Sequence, residues 1–161
     1  MLKRREALAG LAGLAAAGIA GMRAEAAGTT DHVDHTDAEW RKMLTSDQYS
    51  VLRKEGTESP FSSPLLHETR KGVFACAGCG LDLFASTTKF DSGTGWPSFW
   101  APLDNAVRTH TDRSWGMTRT AVTCRRCDGH LGHVFDDGPQ PTGLRYCMNG
   151  IALTFRPAAS A

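Results

Sequence analysis

Apolar and polar residues follow two different patterns along this chain. Between residues 37 and 54, apolar residues recur every three or four positions, which is the period of an amphipathic helix. Trp40 and Met43 share one face of the first such segment. The pattern predicts two short helices, the first from Thr36 or Asp37 to Leu44 and the second from Ser46 or Asp47 to Lys54, closed by Gly56.

From Pro60 onward the helical period disappears. Short runs of β-forming residues replace it, separated by Gly, Pro, Asp and Asn. Several short strands joined by turns predict a mainly β domain built from antiparallel β-sheets. The predicted strands cover residues 72–76, 81–85, 106–110, 116–124, 130–135, 144–148 and 151–155.

The first 26 residues have the composition of an export signal. Lys3-Arg4-Arg5 forms a basic start, an apolar stretch follows from Ala7 to Gly21, and Ala24-Glu25-Ala26 matches a cleavage site. The pair Arg4-Arg5 is typical of the twin-arginine route, and a general secretory signal is the alternative. The apolar stretch is shorter than the ~20 residues that span a bilayer, so we expect no membrane span after signal cleavage.

These features predict three regions: an export signal over 1–26, a flexible linker over 27–36 and one functional domain over 37–161. A net charge of +1 gives no reason to expect nucleic acid as a partner. The content of 41% hydrophobic and 22% charged residues is ordinary for a soluble globular protein. We expect an exported monomer located in the periplasm.

The five cysteines divide into two pairs and one single residue. Cys76 and Cys79 form one CxxC pair, Cys124 and Cys127 form the other, and paired CxxC motifs are typical of a tetrahedral zinc site. Export leaves another interpretation open, because paired cysteines outside the cytoplasm often form disulfides. We favour zinc for two reasons. A disulfide within CxxC closes too short a loop to stabilise the fold well. Twin-arginine cargo folds before export, so zinc can bind in the reducing cytoplasm.

Cys147 is the cysteine outside these pairs and is the candidate nucleophile. Residues two apart in a strand share a face, so Arg145, Cys147 and Asn149 are expected to point the same way. His130 or His133, from a neighbouring strand, is a candidate proton donor or thiolate partner. Two alternatives stay open: Cys147 as a small buried apolar residue, and a histidine that only packs near the zinc site.

The aromatic segment 90–100 contains a bend in which glycines flank Thr94. Trp96 and Phe99 give this segment an apolar edge that is suited to hold an apolar group beside the thiol. The alternative is an aromatic minicore beneath a loop.

The chain resembles the B-type methionine sulfoxide reductases, the methionine-R-sulfoxide reductases, over residues 37–161. The resemblance implies a small barrel-like or tent-shaped domain of antiparallel β-sheets with short N-terminal helices and a structural zinc site. The shared motifs are GTESPF (56–61), CAGCG (76–80), KFDSGTGWPSF (89–99), CRRC (124–127) and HLGHVFDDGPQPTGLRYCMN (130–149).

The resemblance implies a role for each matching residue. Cys147 is the nucleophile, and Trp96 receives the methyl group of the substrate. His130, His133 and Asn149 orient the sulfoxide oxygen and move a proton. The remaining implied roles are support of a histidine by Asp137 and binding of one structural zinc ion by Cys76, Cys79, Cys124 and Cys127. Phe99 and Arg145 are candidate substrate-binding residues from their positions in the aromatic segment and in the strand of Cys147.

The implied reaction is the reduction of methionine R-sulfoxide, in proteins or free, which leaves Cys147 as a sulfenic acid. Thr94 occupies the position where many members have a resolving cysteine, so a thioredoxin-like protein or a small thiol is expected to reduce the sulfenic acid directly. Gly150 occupies a position where serine is usual. Two other functions stay open: a zinc-knuckle interaction module without catalysis, and a one-cysteine thiol peroxidase.

Overall fold

The computed structural model describes residues 32–159, so the predicted export signal and the start of the predicted linker lie outside the described residues. Two helices come first, α1 (Asp37–Met43) and α2 (Ser46–Lys54). Each begins with a capping box, in which a threonine and a glutamate or glutamine three residues later satisfy backbone N–H groups of the first turn. Within residues 32–159, no helix is both long enough and apolar enough to cross a membrane.

The end of α2 differs in one detail from the sequence prediction. Glu55, and not Gly56, adopts the left-handed backbone conformation, with φ of 55°. The N–H of Gly56 donates to the carbonyl of Ser50 at 2.9 Å, and the N–H of Glu55 donates to the same carbonyl, so both residues close the helix end. A side chain at Gly56 would crowd this contact, because its Cβ would lie 2.9 Å from the same oxygen.

Two antiparallel sheets form the rest of the domain. Their strands are β1 (Gly72–Cys76), β2 (Asp82–Ala85), β3 (Lys89–Phe90), β4 (Ser98–Phe99), β5 (Val107–Asp112), β6 (Arg119–Cys124), β7 (His130–Phe135), β8 (Arg145–Met148) and β9 (Leu153–Pro157). The first sheet has the order β2–β1–β9, and the second has the order β3–β4–β8–β7–β6–β5. All paired strands run antiparallel, so the predicted fold class is confirmed.

A cluster of phenylalanines joins the two sheets. Phe74 in β1 and Phe84 in β2 are completely buried and contact Phe99 in β4, with ring centroids 5.0 and 4.4 Å apart. Burying each of these rings stabilises the fold by about 1.5–3 kcal/mol. The packing of Phe99 thereby fixes the short strand β4, which lies beside β8 and the candidate nucleophile.

The last residues of the predicted flexible linker belong to the folded domain. The N–H of Val33 donates to the carbonyl of Arg126 at 2.7 Å, and His35 packs edge-on against Trp40 with ring centroids 4.8 Å apart. A backbone hydrogen bond and an aromatic contact therefore connect the end of this segment to the domain, and its flexibility stays a prediction.

Candidate active site and metal centre

Two turns with the same backbone pattern present the paired cysteines. β1 ends at Cys76 and β6 ends at Cys124. In each turn the residue four positions later, Gly80 or Asp128, donates its N–H to that cysteine's carbonyl at 2.9 Å. Both of these residues have left-handed backbone, with φ of 72° and 54°, so each turn folds back at the same position.

The four paired cysteines converge on one point. All four Sγ atoms lie within 4.8 Å of one another, and the closest pairs are Cys76 with Cys127 at 3.7 Å and Cys79 with Cys124 at 3.5 Å. A disulfide needs an S–S distance of about 2.05 Å, so these cysteines are not bonded to one another. Thiolates about 2.3 Å from a tetrahedral zinc ion lie roughly 3.8 Å apart, so the cluster fits a metal site.

Apolar side chains from the helices shield this cluster. A Cβ at Gly78, between the first two cysteines, would lie 3.6 Å from both Trp40 in α1 and Leu52 in α2. Three of the four cysteines are buried. The site is therefore closed to substrates, as a structural metal site requires.

Cys147 lies elsewhere, in β8, with Ser98 of β4 on one side and His133 of β7 on the other as its strand partners. Its thiol opens into a cavity of about 120 Å³. The lining residues are Thr57, Trp96, Arg119, Gly132, His133, Phe135, Cys147 and Asn149. The candidate nucleophile, the tryptophan, one histidine and the asparagine predicted from the sequence thus meet in one cavity.

A chain of hydroxyl groups leads to the thiol. The Thr94 Oγ1 atom lies 3.8 Å from Cys147 Sγ and 2.8 Å from Ser92 Oγ, which lies 2.7 Å from Ser98 Oγ. Burial raises the pKa of the Cys147 thiol, and the Thr94 hydroxyl and the Arg145 charge only partly oppose this effect. The thiol is therefore mostly protonated at neutral pH in the resting protein.

Asp112 and Arg119 hold His133 in position. The Oδ2 atom of Asp112 lies 2.8 Å from His133 Nε2 and 2.8 Å from Arg119 Nη2. Hydrogen bonds from Ser114, His133 and Arg119 hold the pKa of Asp112 well below its usual range, so this carboxylate is ionised. Burial lowers the pKa of His133, and the bond to Asp112 opposes that shift. His133 is therefore a neutral imidazole at neutral pH, with Asp112 fixing its ring.

His130 is close to His133 but does not line the cavity. A bulge at Leu131 in β7 interrupts the pairing with β6 and turns His130 and His133 to the same side, with ring centroids 5.3 Å apart. His130 is only 4% exposed, and within residues 32–159 its ring nitrogens have no hydrogen-bond partner. Burial lowers its pKa to about 4. His130 therefore lies behind His133 and outside the cavity, and its predicted catalytic role stays a prediction.

Glu58 connects the remaining parts of the site. Its carbonyl accepts a bond from Trp96 Nε1 at 3.1 Å, and its N–H donates to Asn149 Oδ1 at 3.0 Å. Its carboxylate accepts the N–H groups of Gly150 at 2.5 Å and Ile151 at 3.0 Å. One residue therefore positions both the tryptophan and the asparagine.

Two predicted site residues lie in different surroundings from those expected. Phe99 has no exposed surface and packs in the core, because it follows Ser98 in β4 and so faces the opposite side from the residue paired with Cys147. Asp137 bonds Arg145 through both carboxylate oxygens, at 2.8 and 2.9 Å, and not a histidine. The structure therefore places Phe99 in the core and Asp137 on Arg145, and their roles in substrate binding and in support of a histidine stay predictions.

Arg145 does not line the cavity, although its charge acts on Cys147. Its guanidinium lies over the Phe135 ring, 4.3 Å from the centroid.

The structure explains why glycine occupies position 150. A Cβ there would lie 1.9 Å from the Ser63 hydroxyl oxygen. Ser63 therefore occupies the space that a side chain at position 150 would need.

Sequence reasoning missed Thr57, Glu58, Asp112 and Arg119. Thr57 and Glu58 belong to the GTESPF motif, which carried the resemblance but was given no role. Asp112 and Arg119 lie at the end of β5 and the start of β6, where they are register partners. The pairing of β5 with β6, together with the pairing of β6 with β7, brings Asp112 and Arg119 to His133.

The fold and the site define a class of protein: an antiparallel β domain with a cluster of four cysteines that fits a metal site, and with a separate cysteine in a cavity with tryptophan, histidine and asparagine. The SelR domain model matches residues 44–157, and the chain belongs to this family, that of the B-type methionine sulfoxide reductases.

Similar proteins cover most of the chain. A protein from Agrobacterium fabrum is 54% identical over 123 residues, which cover 76% of this chain and 91% of the relative. One from Pseudomonas putida is 58% identical over 120 residues, covering 74% and 92%, and one from Methanosarcina barkeri is 54% identical over 122 residues, covering 75% and 86%. Each is named peptide methionine sulfoxide reductase MsrB, so the resemblance is confirmed.

Proposed function

We propose that this protein is a peptide-methionine (R)-S-oxide reductase that repairs oxidised proteins. The observation that supports this most strongly is the position of Cys147 in a cavity with Trp96, His133 and Asn149. A sulfoxide sulfur becomes electrophilic when its oxygen accepts a proton or strong hydrogen bonds, and this cavity places a nucleophile beside groups that can serve the oxygen.

The first chemical step consumes one thiol and one sulfoxide. The thiol proton of Cys147 passes to the sulfoxide oxygen, with His133 as the carrier, and the sulfur of Cys147 attacks the substrate sulfur. The oxygen moves to Cys147, which becomes a sulfenic acid, and the substrate leaves as methionine. Asn149 Nδ2 donates one hydrogen to Leu131 O at 3.0 Å, so its second hydrogen is available for the sulfoxide oxygen.

The cavity has an apolar wall and a polar wall, and this difference accounts for a preference for one sulfoxide epimer. Trp96 supplies an apolar surface for the substrate methyl group, whereas His133 and Asn149 supply polar groups for the oxygen. Exchanging methyl and oxygen would place the oxygen on the indole and leave polar groups unpaired, which is unfavourable. Family membership supports the assignment of the R epimer, because MsrA and MsrB enzymes each reduce one epimer.

We infer that the tetracysteine cluster binds one zinc ion. The sulfur separations fit tetrahedral thiolate coordination, and zinc is the usual metal of paired CxxC sites. Such an ion would link the end of β1 to the end of β6 and so hold the two sheets together. Metal analysis of the purified protein should find about one zinc per chain.

The oxidised Cys147 needs an external thiol. Within residues 32–159 every other cysteine belongs to the tetracysteine cluster, and Thr94 lies where a resolving thiol would be, 3.8 Å from Cys147 Sγ. Two equivalents of a small thiol, or one dithiol protein of the thioredoxin type, would restore Cys147 and release water and a disulfide. The change Thr94→Cys should create a trappable disulfide with Cys147.

The proposed location is the periplasm, with export by the twin-arginine route and removal of residues 1–26. The basic start, the short apolar stretch and the Ala-Glu-Ala site support this part of the proposal. Export of an Arg4→Lys, Arg5→Lys variant should fail if the route is twin-arginine, whereas unchanged export would indicate the general secretory route.

A turnover assay on the separated sulfoxide epimers tests the proposed activity. The protein should reduce the R epimer at least 100-fold faster than the S epimer, a ratio that ~3 kcal/mol of discrimination supplies. Hydrogen peroxide should be a poor substrate. Equal rates on both epimers, or rapid peroxide reduction that is unaffected by Trp96→Ala, would contradict the proposal and favour a thiol peroxidase.

A further inference from the structure

Most of the strongly exposed large apolar side chains lie on segments that are bonded to the walls of the Cys147 cavity. Among residues 32–159, four are strongly exposed: Met43 at 54%, Phe61 at 68%, Trp115 at 89% and Met117 at 52%. Met43 lies in α1, away from the cavity. The other three lie on two segments that also position the cavity walls, and we name Phe61, Trp115 and Met117 the apolar rim.

Phe61 is tied to the tryptophan side of the cavity. Its N–H donates to the carbonyl of Gly95 at 2.7 Å, and Gly95 precedes Trp96, which lines the cavity. A Cβ at Gly95 would lie 2.8 Å from Pro60 Cβ and 2.9 Å from the Phe61 nitrogen. The two segments are therefore in close contact, and Phe61 is held at a fixed place beside the cavity.

Trp115 and Met117 are tied to the histidine side. They lie in the turn between β5 and β6, next to Ser114, whose N–H donates to Asp112 Oδ1 at 2.8 Å and whose hydroxyl accepts from Arg119 at 3.1 Å. Asp112 bonds His133, and Arg119 lines the cavity. The turn that exposes Trp115 is thus built on the residues that orient His133.

The backbone holds both aromatic side chains in an uncommon conformation. Phe61 has φ of 62° and Trp115 has φ of 58°. Bulky residues rarely adopt positive φ, and large aromatic side chains are rarely so exposed. Neither feature stabilises the folded protein. Strained backbone of this kind is common at binding sites, and aromatic residues are common in binding contacts.

We propose that the apolar rim binds the polypeptide on either side of the oxidised methionine, and that it prefers a segment in which the residues next to the methionine are apolar. This rests on the proposed function. The cavity of about 120 Å³ is much smaller than the roughly 300–1,000 Å³ of typical ligand pockets, so only the end of the methionine side chain enters it. The substrate main chain must then lie at the rim, where its neighbouring side chains meet Phe61, Trp115 and Met117.

The test compares three substrates in single-turnover reactions without reductant: N-acetyl-methionine sulfoxide, a peptide with leucines flanking the sulfoxide, and the same peptide with serines. The variants are Phe61→Asn, Trp115→Asn and the double variant, because asparagine tolerates positive φ. Met43→Asn is the matched control, since it replaces an equally apolar exposed residue outside the rim. Phe61→Tyr and Trp115→Phe are conservative variants that keep an aromatic side chain.

For the leucine peptide, the second-order rate constant of the double variant should be about tenfold lower or more, which corresponds to ~1.4 kcal/mol of binding. Its rate on N-acetyl-methionine sulfoxide should stay within about twofold, and the advantage of the leucine over the serine peptide should disappear. Met43→Asn and the two conservative variants should behave like the unmodified protein.

Unchanged peptide rates, or equal losses on all three substrates, would overturn the proposal. If single-turnover rates are unchanged and only steady-state recycling by a dithiol protein is slower, the rim binds the reductant and the proposal is wrong. Failure of the unmodified protein to reduce N-acetyl-methionine sulfoxide would instead contradict the proposed function itself, so the two failures are distinguishable.

Discussion

Cys124 and Cys147 both lie in strands of the six-stranded sheet, and their neighbours decide what each thiol can do. Cys124 ends β6 in a turn that brings it within 3.5 Å of another cysteine, beneath the two helices. Among residues 32–159, no second thiol lies beside Cys147, which contacts the Thr94 hydroxyl and lines a cavity with a histidine and a tryptophan. The comparison indicates that converging thiols are suited to bind a metal ion, whereas a single thiol beside groups that can transfer protons is suited to react.

Losing one cysteine of the cluster should have the largest effect. Cys124→Ser leaves only three thiolates to bind the metal ion. A structural zinc site contributes on the order of 10 kcal/mol to folding, so losing zinc binding costs as much free energy as the whole stability of a small domain. We expect a misfolded or aggregated protein with no bound zinc, measured by circular dichroism and metal analysis. A stable, active Cys124→Ser protein would show that the cysteine cluster is not required for the fold.

Cys147→Ser should leave the fold intact and remove the activity. Serine is similar in size to cysteine, and nothing in the cluster depends on position 147, so zinc content and thermal unfolding should match those of the unmodified protein. Sulfoxide reduction should fall by more than about 1,000-fold, because no other thiol reaches the substrate. Residual turnover near the original rate would show that the nucleophile lies elsewhere.

The two histidines sharpen the comparison within the reactive region. His133→Gln removes the group that lines the cavity and bonds Asp112, so we expect a loss of about 10²–10⁴-fold in kcat/KM. His130→Gln is the matched control, because His130 is buried outside the cavity, and it should cost less than about tenfold. Equal losses in the two variants would show that His130 also takes part in proton transfer.

The pattern of apolar residues predicted most of the fold, because seven strands are long enough to show alternation. It missed β3 and β4, which have two residues each and form only because Phe99 packs between Phe74 and Phe84. Without β4 the orientation of Phe99 could not be predicted, since the strand places Ser98 beside Cys147 and Phe99 in the core.

The candidate nucleophile and the candidate metal ligands were recognisable because the spacing of the paired cysteines is specific and leaves Cys147 outside the pairs. The partner of His133 was not, because Asp112 and Asp137 are both acidic residues in loops or strand ends, and only the register of β5, β6 and β7 distinguishes them. The separation of His130 from the cavity depends on a bulge at Leu131, which sequence periodicity does not reveal.

The smallest expected effect concerns the charge beside Cys147. Burial raises the pKa of this thiol, so the rate of its alkylation by iodoacetamide should rise with pH up to values above the pKa of an ordinary cysteine. Arg145 partly offsets the shift, so Arg145→Met should raise the pKa of Cys147 further and move the alkylation profile to higher pH. Arg156→Met, which removes a surface arginine paired with Asp82, is the control and should leave the profile unchanged.

A single-turnover reaction without reductant tests the division between structural and reactive cysteines most directly. The protein is mixed with excess methionine R-sulfoxide, and sulfenic acid is trapped with dimedone while zinc release is followed with a chromogenic chelator. We expect about one dimedone adduct per chain, located on Cys147 by mass spectrometry, with no loss of zinc. A disulfide between Cys147 and a CxxC cysteine, formed together with release of zinc, would contradict this division.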